Sequence, residues 1–534
     1  MMKNNEGQVV FPQPGKTPRE DTAAVMKFYK LPKSFPPEVL AEARRVGERL
    51  KSPGKRLDLR KKFIFTCDPV TARDYDDALS LEKGRGGTVV LGVHIADVSH
   101  FVAPGGAIDR EAYSRSTSVY FADRVLPMLP EELSNGVCSL VPGEDRLAFS
   151  VFMTFDKKGE MVKRSFAKSV IRSKARFTYE QVMRVISVGR KSKDATLGKR
   201  ERDVVLAIHG LAQTLRAKRF AAGALDIEMP DAEVVLDSSG EMSGIVTHPY
   251  DESHQMVEEC MVAANEAVAT ELWTKGIKIL SRLHEPPDDE KLLMLRADMR
   301  ALGVKMGNIA NQKVFAQFLK SIKSSPLYPT LAVMVLRSMK RAVYASTAIG
   351  HFGLAKRYYA HFTSPIRRYP DLTLHRQLAA YLEGRECRVP PKLLARWAEH
   401  TSEMEETAAE AERALLEIKK YRLLQEQLDS RQPMEYDAVV SKCTPFGCFV
   451  EIPELAVSGL VHVSALSHRY VKFSEHDHSL SAPGGGSWRL GDVIKVRVSH
   501  VDFRQRRIDF LPCAEERRAA KRARSGGRRK GGSR

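Results

Sequence analysis

Between Thr66 and Ser80 the chain reads TCDPVTARDYDDALS, which places Asp68, Asp74, Asp76 and Asp77 within ten residues. Carboxylates crowded this closely repel. Two of them 4 Å apart cost roughly 4 kcal/mol at an intermediate effective dielectric. Either the loop is a wet turn whose charges splay into solvent, or a cation sits among the four side chains. An EF-hand does not fit the spacing: a loop begun at Asp74 has Ala78 at its fifth position, Leu79 where the turn glycine belongs and Arg85 where a glutamate should close it. Donors dominated by carboxylate oxygen suit the hard cations Mg2+ and Mn2+ better than zinc. A pair of such ions can stabilise both the attacking and the leaving oxygen in phosphoryl-ester cleavage.

A second chemical candidate is TSPIRRYPDLTLHR, Thr363 to Arg376. Ser364 followed by Pro365 predicts a helix N-cap with proline in the first helical position. Arg367 and Arg368 then fall in the first turn, where the helix dipole disfavours cations. Two arginines there make sense if an anion balances them, and the free N–H groups of a helix N-terminus suit a phosphate. Ordinary surface arginines are the competing reading of this stretch alone.

The elements that must hold these residues follow from the hydropathy pattern. FIF ahead of the aspartates predicts a strand entering the core, and ALSLE, KGRGG and TVVLGVHIADVSHFV predict a hairpin directly after them. The carboxylates therefore sit at a strand end, where a rigid scaffold presents function. Helices are predicted over Ser34–Leu50, Gln255–Trp273 and Pro329–Ser346, with one or two long amphipathic helices from Lys392 to Leu428. Beyond Gln432 the period changes to two. YDAVVSKCTPFGCFVEIP, SGLVHVSAL and DVIKVRVSHVDFRQRRIDFLP predict a five-stranded Greek-key barrel of the OB type, with SAPGGGSWRLGD as its most flexible connection. The expected fold class is α+β, a mixed sheet with long helices followed by an all-β barrel.

Composition sets outer limits. A chain of 534 residues is long enough for two or three domains. It contains no apolar run of about 18 residues that could span a membrane, and its first residues lack the apolar stretch of a secretory signal. A cytoplasmic location is expected. Seven scattered cysteines make no disulfide framework. The net charge of +19 points to a polyanionic partner, phosphate backbones first. From Ala514 to Arg534, nine Lys/Arg face two Glu, and so polar a tail is expected to be disordered; the rest of the chain still carries +12.

Taken in order, TCDPVTARDYDDA, STSVYFADRVLPMLPEELSNGVCSL, GALDIE, MVEECMVAANEAVA, HEPPD and HFGLAKRYYAHFTSPIRRYPDLTLHR resemble the ribonuclease II/ribonuclease R family of RNB-type 3′-to-5′ exoribonucleases. The resemblance runs from about Arg56 to Leu428. It implies that Asp68, Asp74, Asp76 and Asp77 hold Mg2+, with Mn2+ as a substitute, and organise the attacking water, Asp76 being catalytic. It further implies that Arg367 contacts the phosphate next to the scissile bond, that Glu412 supports the 3′ end, and that Tyr120 stacks on a terminal base. The implied reaction is hydrolysis of single-stranded RNA, one nucleotide at a time, to nucleoside 5′-monophosphates. The barrel is similar to the S1 type of RNA-binding domain in FGCFVEIP and GLVHVSAL, which implies that Phe446, Phe449 and His462 face RNA. Burial of both phenylalanines in the barrel core is the competing expectation.

The expected division is a disordered N-terminus over 1–25, a linker and helix over 26–55, an RNB catalytic domain over 56–432, an S1-type domain over 433–513 and a disordered basic tail over 514–534. Only about 60 residues precede the aspartates, where bacterial relatives usually carry two cold-shock-type domains. A shortened member, or a start assigned inside a longer gene, is expected. The alternative function is a non-catalytic RNA-binding protein that keeps the nuclease channel as a clamp; a DNA exonuclease is the third possibility. A monomer acting on single-stranded RNA away from membranes is expected, and protein partners are not legible.

Overall fold

Apolar runs and period-two stretches between Leu57 and Thr178 assemble into one seven-stranded sheet in the computed structural model of the chain. Its strands are β1 (Leu57–Asp58), β2 (Phe65–Asp68), β3 (Asp77–Lys83), β4 (Val89–Ala96), β5 (Asp145–Phe155), β6 (Met161–Arg172) and β7 (Ala175–Thr178). They lie in the order β1-β6-β5-β4-β3-β2-β7, antiparallel except for the outermost pairs β1–β6 and β2–β7. The structure describes residues 10–513 apart from 48–53, 190–196, 228–230, 249, 308, 310, 326, 431–433, 475–478 and 484–485. The basic tail from 514 lies outside the described residues, as do residues 1–9.

The helices that frame the sheet are α1 (Asp21–Phe28), α2 (Pro37–Gly47), α3 (Lys199–Ala221), α4 (Glu252–Thr274), α5 (Tyr369–Leu382) and α6 (Pro391–Asp429). Leu91, Val93 and Ile95 of β4 and Phe149, Val151 and Met153 of β5 share a core with Met256, Cys260, Ala264 and Val268 of α4. A second core joins Ile64, Tyr75 and Ala78 around the aspartate loop to Val39 and Ala43 of α2 and to Ile366, Tyr369 and Leu372 at the start of α5. This second core brings TSPIRR onto the aspartates, because Tyr75 and Ile366 bury apolar area against the same neighbours.

The stretch expected to form one or two helices is a single helix, α6, about 58 Å long at 1.5 Å per residue. It runs through three cores. Leu394 and Ala398 pack by Tyr344, Ala411, Ala414 and Ile418 by Val119 and Phe121, and Tyr421 and Leu424 enter the barrel core with Tyr436 and Val440. The barrel closes as expected from five strands, β8 (Tyr436–Thr444), β9 (Gly447–Ile452), β10 (Val457–His462), β11 (Val493–Asp502) and β12 (Arg507–Pro512), in the order β8-β9-β10-β12-β11.

Three local expectations need correction. The N-terminal stretch is ordered from residue 10, with α1 beginning at Asp21 inside the segment 1–25 expected to be disordered. Its anchor is Asp21, fully buried, whose carboxylate accepts from Lys419 Nζ at 3.0 Å and from Arg422 Nε at 2.8 Å. The helix expected over Pro329–Ser346 ends at Ser338, and Val343–Ala345 instead pairs with Ser281–Leu283 as a small antiparallel ribbon. β-branched and aromatic Val343 and Tyr344 favour that pairing over continued helix. The connection SAPGGGSWRLGD is partly stranded: Ser479–Ala482 pairs with Gly486–Trp488. Helical and turn propensity alone did not reveal partners so far away in sequence.

Lys419 is buried beside Asp21. Asp21→Ala removes its counter-charge, and unpairing a buried ion pair in this way destabilises by about 3–5 kcal/mol. Guanidinium unfolding of the variant should show a loss of that size, and a change under about 0.5 kcal/mol, the range of ordinary surface substitutions, would show that the pair does not anchor α1.

Candidate active site

The loop between β2 and β3 is fastened on every side. Ala72 N donates to Pro69 O at 3.1 Å, and Arg176 donates to the carbonyls of Pro69 and Val70 at 2.7 and 2.9 Å. The Arg176 guanidinium stands 5.2 Å from the centre of the Tyr75 ring. Tyr75 N donates to Ser139 Oγ at 3.0 Å, Ser139 Oγ donates to Arg73 O at 2.7 Å, and Leu140 N donates to Tyr75 O at 3.0 Å. So held, the loop turns its carboxylates inward. Asp68 and Asp76 are buried, 9% and 5% exposed, and Asp74 and Asp77 are half-buried. The wet-turn reading does not hold.

Burial leaves these carboxylates reluctant to ionise. Desolvation is the largest cause raising the pKa of all four, and the neighbouring Asp77 charge raises Asp68 further. Arg367 is the first opposing charge at Asp74, Asp76 and Asp77 once burial has acted on Asp74 and its own backbone contact is counted. One oxygen, Asp68 Oδ2, is buried with no hydrogen-bond partner among the described residues. Among those residues, no three carboxylates, imidazoles or thiolates close into a ready-made ligand set.

The TSPIRR stretch differs from its expected form. Helix α5 begins at Tyr369 with Pro370 in its first turn, and Ser364 and Pro365 belong to a separate turn before it, in which Arg368 N donates to Ser364 O at 3.0 Å. The reason lies at Ile366. Its amide, expected to be free at a helix N-terminus, donates to Asp76 Oδ1 at 3.0 Å. The two arginines then part. Arg367 is 42% exposed and brings Nε to 3.9 Å from Asp76 Oδ2. Arg368 turns inward and donates to Asp371 Oδ1 at 2.7 Å. The anion that balances the second arginine is thus part of the chain.

Residues 116–120, which end in the short strand Val119–Tyr120, connect this turn to the remaining candidates. Tyr369 N donates to Ser116 O at 2.9 Å, and Ser118 N donates to Arg367 O at 3.1 Å. At the far end of the strand, Tyr120 N donates to Glu412 Oε1 at 2.6 Å. Glu412 comes from α6, half-buried, and burial pushes its pKa up. Tyr120 keeps 43% of its surface exposed. Desolvation pushes its hydroxyl up to about 12, with Arg367, Asp74 and Asp76 also acting on it. The structure therefore brings Asp68, Asp74, Asp76, Asp77, Arg367, Tyr120 and Glu412 into one constellation.

Phe446, Phe449 and His462 form a separate group on the barrel. Phe446 is 49% exposed, Phe449 half-buried, and their rings meet edge to face at 6.0 Å. Neither belongs to the barrel core, so the core expectation is overturned. His462 is exposed and pairs across β9–β10 with Gly447. A Cβ on Gly447 would lie 2.3 Å from Val461 O, so only glycine lets this turn approach β10. Sequence reasoning missed the Ile366 amide, Arg176, the Ser116–Ser118 latch and Asp371. Of these, only Asp371 carried a signal, its spacing of three from Arg368.

Comparison with known proteins adds an independent line. Residues 56–384 match the RNB domain family and residues 433–511 the S1 RNA binding domain family. Ribonuclease R of Thermotoga maritima is 39% identical over 533 residues, 95% of this chain and 74% of that protein. Ribonuclease R of Escherichia coli is 35% identical over 511 residues, 92% of this chain and 62% of that protein. The structure of Mycoplasma genitalium RNase R in complex with ribose methylated single-stranded RNA is similar with a TM-score of 0.84 and 27% identity, over 93% of this chain and 78% of that one.

The raised carboxylates make a signed prediction. A group whose pKa is higher in the folded state binds more protons there, so its contribution to stability falls as pH rises. For Asp68 the fall runs from about pH 4, the unfolded carboxylate value, to its raised value of about 8. Without divalent cations, Asp68→Asn should therefore gain melting temperature over the parent as pH rises from about 5 to about 8. A difference that stays constant across that range would contradict the buried, unbalanced carboxylate.

Proposed function

The chain belongs to the RNB-domain family that includes ribonuclease R and is a hydrolytic 3′-to-5′ exoribonuclease, and from this premise we propose that the constellation around Asp76 is its hydrolytic centre. The substrate is the 3′ end of a single RNA strand, and the products are nucleoside 5′-monophosphates. What supports the reading is one observation: Asp76, Arg367, Tyr120 and Glu412 come from distant parts of the sequence and are joined by a chain of contacts through the Ile366 amide, Arg367 and residues 118–120, with Asp74 and Asp77 near enough to Arg367 to feel its charge.

A hard divalent cation fits the residues present. The donors are carboxylate oxygens, and Asp68 Oδ2 lacks a partner. Mg2+ usually keeps several waters and takes substrate phosphate oxygens beside one or two carboxylates, so it does not need a complete protein cage. Asp68, Asp74, Asp76 and Asp77 would hold it, with Mn2+ as a substitute. When bound, Mg2+ supplies a nucleophilic water at neutral pH and charge compensation for the leaving 3′ oxygen. The chain's own groups orient the RNA. Arg367, exposed on one side and held near Asp76 on the other, offsets charge that builds on the phosphate oxygens. Tyr120 offers a ring face to a terminal base, an interaction that tolerates any base. Glu412 commits Oε1 to the Tyr120 amide, and its carboxylate would accept from a ribose hydroxyl.

On the barrel, Phe446, Phe449 and His462 form a stacking platform for upstream RNA, and the positive charge of the chain adds affinity that salt weakens. The enzyme acts in the cytoplasm as a monomer. No helix among the described residues is long and apolar enough to cross a membrane. The reading of the chain as a non-catalytic clamp is not favoured.

Digestion of RNA with Mg2+ or with EDTA, followed by mass analysis, should give 5′-monophosphates only with the metal. Asp76→Asn should slow hydrolysis by roughly 100-fold or more while RNA affinity persists, since it removes stabilisation of the transition state more than of bound RNA. Hydrolysis unchanged in Asp76→Asn would refute the assignment. On the barrel, Phe446→Ala and Phe449→Ala should each weaken single-stranded RNA binding by about 1–3 kcal/mol if each stacks on a base. Equal anisotropy titrations for parent and variants would reduce both rings to surface packing.

A further inference from the structure

The hydrolytic reading uses Arg367 and leaves Arg368 and Asp371 without a role. Asp371, in the first turn of α5, is fully buried. Its Oδ1 accepts from Ser364 N at 2.8 Å and from Arg368 Nη2 at 2.7 Å. One oxygen atom thus ties the two ends of the 364–368 turn. Between those ends lie the two groups that touch Asp76, the Ile366 amide at 3.0 Å and Arg367 Nε at 3.9 Å. On its outer side the turn is latched by Ser118 N and Thr117 Oγ1, which both donate to Arg367 O, at 3.1 and 3.2 Å.

We propose that Asp371 is a positioning residue for hydrolysis: by holding Arg368 inward and closing the 364–368 turn, it fixes the Ile366 amide and Arg367 against Asp76 without itself touching RNA. The proposal rests on the reading of the aspartates as the hydrolytic centre.

The physical case has two parts. Closing the turn needs only a neutral acceptor for the Ser364 amide, and an asparagine of the same shape would provide one. A buried negative charge is costly unless it is paired, so the charge on Asp371 answers to Arg368. Held by that pair, Arg368 stays close enough to act electrostatically on the carboxylates, lowering Asp77 and being itself raised by Asp76. Of two adjacent arginines, then, one is kept inside as a fixed cation for the cluster and the other is left facing solvent. Without Asp371 both would compete for the same carboxylates and for phosphate, and the turn that carries Ile366 would lose its tie.

The test compares parent, Asp371→Asn, Arg368→Gln, the double variant and Asp21→Asn, which weakens a buried carboxylate–cation cluster elsewhere. Each is measured for single-turnover hydrolysis at saturating RNA with Mg2+, for RNA affinity in EDTA, and for melting temperature. Asp371→Asn and Arg368→Gln should each slow hydrolysis by about 100-fold, the scale of a 1 Å misplacement, while RNA affinity stays within about threefold. The double variant should be no slower than the slower single one, because the pair acts as a unit. Asp21→Asn should lose melting temperature yet hydrolyse within about threefold of the parent. The proposal is overturned if Asp371→Asn hydrolyses at the parental rate, if Asp21→Asn of equal melting temperature is equally slow, or if the two losses multiply. Should Asp371→Asn not fold, Arg368→Gln decides, since it removes the cation that Asp371 holds inward; slow hydrolysis with RNA affinity kept supports the proposal and a parental rate sinks it. If Asp76→Asn hydrolyses normally, the reading of the centre falls and this proposal with it. If Asp76→Asn is dead and Asp371→Asn is not, only the positioning role falls.

Discussion

Burial of Asp76 is the constraint on which the rest of the site depends. A carboxylate with 5% of its surface exposed, beside three others, cannot stay charged on hydration alone. The fold answers with an amide from Ile366, a guanidinium from Arg367 and a second, internal guanidinium from Arg368. None of these lies near Asp76 in sequence. The chain must therefore bring residues almost 300 positions apart into register before the cluster is tolerable, which makes the site a condition on the fold as well as a product of it.

The frame meets that condition by sharing cores. Tyr75 and Ile366 are buried among the same side chains, so apolar packing holds the turn against the aspartate loop. Residues 116–120 then connect the turn to Glu412, and Val119 and Phe121 on either side of Tyr120 pack on α6 with Val25 and Met26 of α1. The same helix ends in the barrel core through Tyr421 and Leu424. The single helix α6, about 58 Å long, thus links α1, Glu412 and the S1-type barrel.

The parts of this design legible in the sequence were those with local signatures. The hairpin after the aspartates, the long helix and the five-stranded barrel follow from period and turn residues, and the constellation follows from the ordered motifs of the family. What was not legible depends on distant partners. Ser364-Pro365 reads locally as a helix cap, yet Asp76 takes the Ile366 amide and the helix waits until Tyr369. Residues 1–25 read as disordered, yet within them Asp21 finds Lys419 and Arg422 some 400 positions away. Val343 and Tyr344 continue a helical pattern in sequence and are drawn off by the strand at Ser281–Leu283. In each case tertiary hydrogen bonds or ion pairs outweighed a propensity worth at most about 1 kcal/mol per residue.

The contacts proposed for RNA have one property in common: none reads a base edge. On that proposal Arg367 would meet phosphate, Glu412 a ribose hydroxyl, and Tyr120, Phe446 and Phe449 the faces of bases. An enzyme that removes every nucleotide in turn must bind each new end as well as the last, so selectivity for a base would stall it. Charge and stacking satisfy that demand because phosphates and π-faces repeat along any strand. The same demand explains why the two arginines of the turn differ. A cation that always faces the same carboxylates belongs inside, where Asp371 fixes it, while the one that greets a new phosphate at every step must stay at the surface, and Arg367 is 42% exposed.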